Sequence, residues 1–266
     1  MGKNIEVLLG VPNSEVIPLA VDPAKAESWV RTNIQPYFPA VNIKYLVVGN
    51  EISPNNDNNG LSFFLMSTLQ NFQNSLSKAG LKDIKLTSSF DTSILRNPYM
   101  DVPSNISFVI ESLEFLDPFL KFISSNGAPF MVNIYPYYAH VINPVGLDLD
   151  YALFNSSKGN LFEALLDSMY SALQKAGYAS LEVVVAETGW PSAGGVSACV
   201  ESQRIYVTKL LEQVKKGTPK NHNKPIETYL FSMFDEDIKG APQIESHFGL
   251  FTPNKDLKFV FSGAFN

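Results

Sequence analysis

Residues 183–192 read Val183-Val184-Val185-Ala186-Glu187-Thr188-Gly189-Trp190-Pro191-Ser192. Four small or β-branched apolar residues run together without polar alternation, the pattern of a parallel strand covered on both faces. A glutamate stands where that run ends, and glycine and proline then turn the chain into a loop. Residues 45–51, Tyr45-Leu46-Val47-Val48-Gly49-Asn50-Glu51, follow the same grammar. Working outward, comparable runs fall at 5–11, 43–48, 84–89, 130–134, 181–186 and 227–233. Helical signals lie between them. Asp22 is an N-cap ahead of Pro23. Leu61, Leu65, Leu69, Phe72 and Leu76 recur at helical spacing and stop at Gly80. Leu161, Leu165, Met169 and Leu173 do the same before Gly177, and a helix over 200–216 ends at Gly217.

Strand alternating with helix predicts an α/β fold with a parallel sheet. Six strands suit an open doubly wound sheet, whereas a (β/α)8 barrel requires eight units. The count favours the open sheet. The strand ends argue for the barrel, because barrel strands converge at their C-terminal tips on one cleft, and catalytic groups stand there.

The chain has 266 residues, with 26 acidic and 20 basic side chains and a formal charge of −6. No linker or composition shift divides it, so residues 1–266 read as a single domain. An acidic chain without basic clusters is not built to track a phosphate backbone, so no nucleic acid is expected. No apolar run is long enough to span a membrane. Cys199 alone cannot form an internal disulfide, and with His140, His222 and His247 scattered there is no zinc-ligand spacing. Neither a P-loop nor a GxGxxG turn follows a strand, so no cofactor and no metal are expected. Residues 1–4 lead straight into the first strand, with no signal peptide. The chemistry falls to carboxylates and aromatics.

Glu51 and Glu187 each follow a buried run, where desolvation raises a carboxyl pKa. Two carboxylates about 5–5.5 Å apart are the equipment of retaining glycoside hydrolysis, one protonating the leaving oxygen and the other attacking the anomeric carbon. Asn50 and Trp190 accompany them. Tyr135, Tyr137 and Phe234 at other strand ends, with Phe248, offer flat faces for sugar rings. Glu236, Lys239 and Glu245 form a candidate polar cluster at the rim, although spacing alone suits a solvated loop equally.

On these residues the sequence resembles the plant endo-β-1,3-glucanases of glycoside hydrolase family 17. The resembling segments are LLGVPNSE (8–15), YLVVGNEISP (45–54), PFMVNIYPYYAHV (129–141), LDYALF (149–154), VVVAETGWPSAGG (183–195) and 226–251, so the likeness runs along nearly the whole chain. The resemblance implies a (β/α)8 barrel, an acid/base at Glu51 on the fourth strand and a nucleophile at Glu187 on the seventh. It implies that Asn50 bonds the sugar near its 2-hydroxyl, that Tyr135 lies beside the nucleophile, and that Glu236, Lys239 and Glu245 support the acid or bind sugar. If Glu51 ends the fourth strand, the six strands are the third to eighth, and the barrel lacks its first two βα units. Asp237 stands where the family has asparagine, and His140 where tyrosine is frequent, which alters one sugar contact. The implied substrate is a β-glucan such as callose or fungal wall polymer, cut by a secreted or vacuolar monomer in plant defence. Sequons at Asn105 and Asn155 fit that ancestry. Three alternatives stay open: a shortened, non-catalytic glucan binder, a fragment without function, and a β-1,3;1,4-glucanase.

Overall fold

A computed structural model describes residues 5–55, 60–99, 102–240 and 242–260. The expected start at residues 1–4 lies outside the described residues. The chain forms two compact units: Met1–Arg96 with Phe108–Val132 and Ala176–Val183, and Asn97–Ser107 with Asn133–Lys175 and Val184–Asn266.

The first unit holds β1 (Glu6–Val11), α1 (Asn13–Val21), α2 (Pro23–Asn33), β2 (Asn42–Asn50), α3 (Leu61–Lys78), β3 (Lys85–Phe90), α4 (Ile110–Asn126) and most of β4 (Phe130–Asn133). The strands pair in parallel, with Val11 opposite Val48, Asn50 opposite Ser89 and Phe90 opposite Val132. The Phe130 N–H then donates to the Glu182 carbonyl at 2.8 Å, which begins the pairing with the next strand. Leu46, Val48, Leu69, Phe72 and Phe90 are fully buried between sheet and helices, and Phe90 stacks on Phe130 at 5.4 Å. By contrast, Val7, Leu8 and Leu9 of β1 are only half-buried.

Asp22 caps α2, accepting from the Ala24 N–H at 3.0 Å, as its position before Pro23 predicts. Neither α1 nor α4 is signalled by the sequence, and each carries an internal proline, Pro18 and Pro118. Proline removes a helical N–H and punctuates the pattern. Packing compensates in α1. Asn71 of α3 donates to the Leu19 and Ala20 carbonyls at 2.8 and 3.0 Å, satisfying the groups that a helix end leaves orphaned.

The second unit continues with α5 (Pro136–Ile142), α6 (Leu149–Ala152), α7 (Leu161–Lys175), most of β5 (Val183–Thr188), α8 (Val200–Gln213) and β6 (Thr228–Leu230). The Ile134 N–H donates to the Glu187 carbonyl at 2.9 Å, and Val185 and Thr188 pair in parallel with Thr228 and Leu230. The six strands therefore follow one another in chain order. Asn160 and Glu163 form a reciprocal cap on α7: the Glu163 N–H donates to Asn160 Oδ1 at 2.8 Å, and Asn160 Nδ2 donates to Glu163 Oε2 at 2.7 Å. All six predicted strands and the four predicted helices are present, with boundaries moved by a few residues.

Candidate functional site

In the first unit, the tip of β2 turns sharply. Gly49 has φ +70°, a conformation that L side chains rarely adopt, so the turn favours glycine there. Glu51 follows with φ 56°, a left-handed conformation that costs a non-glycine residue about 1–2 kcal/mol. Hydrogen bonds hold the turn. The Asn50 N–H donates to Asn13 Oδ1 at 2.7 Å, and Asn13 Nδ2 donates back to the Asn50 carbonyl at 3.0 Å. The Ser89 hydroxyl donates to Asn50 Oδ1 at 2.7 Å. The Glu51 N–H donates to the Ser89 carbonyl at 2.9 Å. The first unit thus holds Asn50 and a half-buried Glu51 on a fixed turn.

In the second unit, Glu187 stands near the C-terminal end of β5. Burial pushes its carboxyl pKa up. The Tyr135 hydroxyl, donating to Oε2 at 2.8 Å, and the Lys239 ammonium pull it back, while Glu245 raises it further. Tyr135 is held edge-on between Phe231 and Phe248, at 6.4 and 5.8 Å between ring centres. Lys239 lies 2.9 Å from Glu236 Oε2, 3.6 Å from Glu245 Oε2 and 4.8 Å from the Phe231 ring centre. Burial lowers the Lys239 pKa, but the two glutamates outweigh it and the net shift is upward. The Tyr138 hydroxyl donates to Glu245 Oε1. Tyr135, Glu187, Glu236, Lys239 and Glu245 are therefore one connected polar cluster, with Phe234 on the surface nearby in sequence, 38% exposed and tilted against Phe251.

The glycines of residues 189–195 are explained by contacts. A Cβ on Gly189 would meet the Phe231 carbonyl oxygen at 2.1 Å, and one on Gly195 would meet the Tyr137 hydroxyl at 2.5 Å. β5 can approach the end of β6 only with glycine at 189.

Three residues expected to touch sugar lie instead in the interior. Trp190, Tyr137 and Phe248 are 0%, 1% and 1% exposed. Trp190 donates from Nε1 to the Ser197 carbonyl at 3.0 Å and packs edge-on to Tyr137 at 5.1 Å. Tyr137 donates to the Val196 carbonyl at 2.9 Å. With their polar atoms satisfied and their rings covered, they are the packing on which the cluster rests. His140 is likewise a buried core histidine, with Nδ1 2.7 Å from the Leu147 carbonyl and Nε2 3.1 Å from the Ser197 hydroxyl, and is not a sugar contact.

Asn13, Ser89, Phe231 and Tyr138 were not singled out by the sequence. Asn13, Phe231 and Tyr138 sit inside the resembling segments, whereas nothing in the sequence pairs Ser89 with Asn50, because register sets that contact.

Comparison with known proteins places these elements in a family. A family model described as "Glycosyl hydrolases family 17" matches residues 1–262. A "Glucan endo-1,3-beta-glucosidase" of Nicotiana tabacum is 43% identical over 267 residues, covering 97% of this chain and 75% of the relative. Among solved structures, one described under "two plant beta-glucan endohydrolases with distinct substrate specificities" superposes with TM-score 0.89 at 39% identity, covering 98% of this chain and 85% of that one. "CJP38, a beta-1,3-glucanase and allergen of Cryptomeria japonica pollen" superposes with TM-score 0.93 at 35% identity, with the same coverage. These likenesses decide between the two closures left open by the strand count: the fold class is the (β/α)8 barrel, with six of its βα units in these 266 residues. Matched along almost its whole length by the family's sequence and by its solved structures, the chain belongs to glycoside hydrolase family 17.

Proposed function

We propose that this protein is a retaining glycoside hydrolase that cuts internal β-1,3-glucosidic bonds in glucans such as callose or fungal wall β-glucan. The observation that carries the reading is a half-buried glutamate at a strand tip, Glu187, bonded by a tyrosine hydroxyl at 2.8 Å in a chain of this family. Glu187 is the nucleophile. It attacks the anomeric carbon, the bond to the departing oxygen breaks, and Glu51 delivers the proton that oxygen needs. A glycosyl ester on Glu187 results. Glu51, now a carboxylate, takes a proton from water, which attacks the same carbon and frees Glu187.

A nucleophile must be ionised, and burial opposes ionisation. The Tyr135 bond and the Lys239 charge offset part of that opposition. A half-desolvated carboxylate is a stronger nucleophile than a fully hydrated one, so the partial offset serves the reaction. Glu236 and Glu245 hold Lys239, and Tyr138 holds Glu245. Asn50, held by Ser89, bonds the sugar near the 2-hydroxyl. Phe234 supplies an exposed ring face.

The substrate partner is a β-glucan, and the protein acts as a monomer. A secreted or vacuolar location accords with relatives such as a "basic vacuolar isoform" of Nicotiana plumbaginifolia. Among the described residues no helix is long and apolar enough to cross a membrane.

The test is reducing-sugar release from laminarin by wild type and Glu187→Gln, both checked for folding. Release by wild type and none by the variant is expected. A folded wild-type chain that binds insoluble β-1,3-glucan without cutting it would replace hydrolysis with glucan binding. Preference for mixed-linkage β-glucan over laminarin would reassign the linkage.

A further inference from the structure

Glu187, Lys239 and Glu245 sit on separate stretches of the second unit, and a side chain outside their cluster ties those stretches together. That side chain is Lys258, which a short hairpin delivers. Phe251 bridges Leu257 antiparallel, the Lys255 N–H donates to the Thr252 carbonyl at 2.9 Å, and the Lys258 N–H donates to the Leu250 carbonyl at 3.1 Å. The hairpin sends the lysine inward, and its side chain is 7% exposed.

An ammonium carries three N–H donors, and here each finds an acceptor. Nζ stands 2.6 Å from Asp235 Oδ1, 2.7 Å from Ser192 Oγ and 3.4 Å from the His247 carbonyl oxygen. With its donors engaged, Lys258 is not poised to touch a substrate. Its acceptors, however, belong to the stretches that carry the cluster. Ser192 closes the loop that follows Glu187, Asp235 precedes Glu236, and His247 lies just past Glu245. Backbone groups draw the same stretches together. The Ser192 N–H and hydroxyl both donate to the His247 carbonyl, at 2.9 and 3.1 Å. The Gly249 N–H donates to Asp235 Oδ1 at 2.9 Å, and the Glu236 N–H donates to the Ser246 carbonyl at 3.2 Å.

Asp235 is 13% exposed, so both members of this ion pair are largely removed from water. Burying such a pair costs desolvation that its attraction need not recover, and apolar side chains can hold segments together as well. Stability alone therefore does not account for the pair. Its placement does.

We propose that Lys258 is a positioning residue for the nucleophile: by joining Ser192, Asp235 and the His247 carbonyl, it fixes where Lys239 and Glu245 stand beside Glu187. The word nucleophile rests on the function proposed above, whereas the positioning rests on these contacts. Among the described residues of this unit, Tyr135, Lys239 and Glu245 are the titratable groups that act on Glu187, and of the two charges Lys239 acts more strongly. Glu236 holds Lys239, and Tyr138 holds Glu245. Loosening the stretches that bear them weakens the net support for the Glu187 carboxylate.

The experiment compares the wild-type chain with Lys258→Met and with the double variant Lys258→Met, Asp235→Asn. Methionine keeps the apolar stem and removes the ammonium. The double variant leaves no charge buried alone and keeps an oxygen for the Gly249 N–H, so it folds and decides the matter if the single variant does not. Its net charge equals that of wild type, so a shift there reports position and not charge. Two quantities are read on folded protein: the titration midpoint of the Glu187 carboxyl by carbon-13 NMR, and kcat and KM on laminarin. In both variants the midpoint should move to higher pH. The value of kcat should fall about tenfold, the scale of one hydrogen bond to a charged group, while KM holds. A pair that serves stability alone would lower the melting temperature and leave midpoint and kcat in place, and that result in the double variant overturns the proposal. If wild type does not cut laminarin, the midpoint alone decides: a shift sinks the hydrolase and spares the positioning, and no shift sinks both. An active wild type whose variants keep its midpoint or its kcat sinks the positioning and spares the hydrolase.

Discussion

Replacing Tyr135 with phenylalanine removes one oxygen from the site and leaves its ring packed between Phe231 and Phe248. What is lost is the bond to Glu187 Oε2 at 2.8 Å. A hydrogen bond to a charged acceptor contributes about 1.5–3 kcal/mol, equivalent to roughly 10- to 150-fold in an equilibrium or rate. The bond favours the ionised form of Glu187, so its loss raises further a pKa that burial has already raised. As nucleophile, Glu187 works only as carboxylate. Activity therefore falls as pH drops through its pKa, and the acid limb of kcat/KM must move to higher pH in Tyr135→Phe. On that limb the rate follows the ionised fraction, so the deficit approaches the full 10- to 150-fold. Above the limb both enzymes are ionised and the deficit shrinks. The assay is kcat/KM on a soluble laminari-oligosaccharide across the acid range, with melting temperature as the folding control. An acid limb that stays in place, or moves to lower pH, in a folded variant would refute the reasoning.

Further expectations follow from the same contacts. Glu187→Gln should abolish turnover yet melt above wild type at neutral pH. A carboxyl whose folded pKa is raised binds its proton more readily in the native state, so the contribution of Glu187 to stability is greatest below the unfolded value near 4.5 and is lost as pH rises through the folded one. The two melting curves should converge in acid, and a Gln variant no more stable at neutral pH contradicts the burial argument. Gly189→Ala sets a methyl group 2.1 Å from the Phe231 carbonyl oxygen, which should cost at least about 1–3 kcal/mol in denaturant unfolding; a loss under about 0.5 kcal/mol would mean that the contact relaxes freely. Trp190→Phe should lower stability by about 1–3 kcal/mol through lost packing and the lost Nε1 bond, while KM for laminarin holds. A raised KM at unchanged stability would restore Trp190 as a sugar platform.

The parts of this protein legible in its sequence are those written by local chemistry. Unbroken runs such as 183–186 mark strands because both faces are covered, and Gly80, Gly177 and Gly217 end helices because each adopts positive φ. Helices with internal proline escaped, since a tertiary contact such as Asn71 with the Leu19 carbonyl is what makes Pro18 tolerable there. For the site, the positions of Glu51 and Glu187 at strand tips are visible in one dimension. Which aromatics face outward is not. Tyr135 and Tyr137 are two residues apart, yet one bonds the nucleophile and the other is sealed at 1% exposure, because the chain passes from extended backbone into α5 between them and strand alternation no longer applies. Phe248 resembles a platform in sequence and is a floor in the structure because its ring packs against Tyr135, Tyr137, Tyr138 and Phe231, contacts that sequence spacing does not reveal.

The central claim is that Glu187 attacks the sugar. A β-1,3-glucosyl substrate carrying fluorine at the 2-position and a good leaving group slows release of the sugar more than its capture, so the covalent intermediate accumulates. Proteolysis and mass spectrometry of the trapped protein should find one glycosyl adduct, on the peptide containing Glu187. An adduct on Glu236, Glu245 or any other carboxylate, or steady hydrolysis of the parent glucan with no adduct formed, would contradict the account.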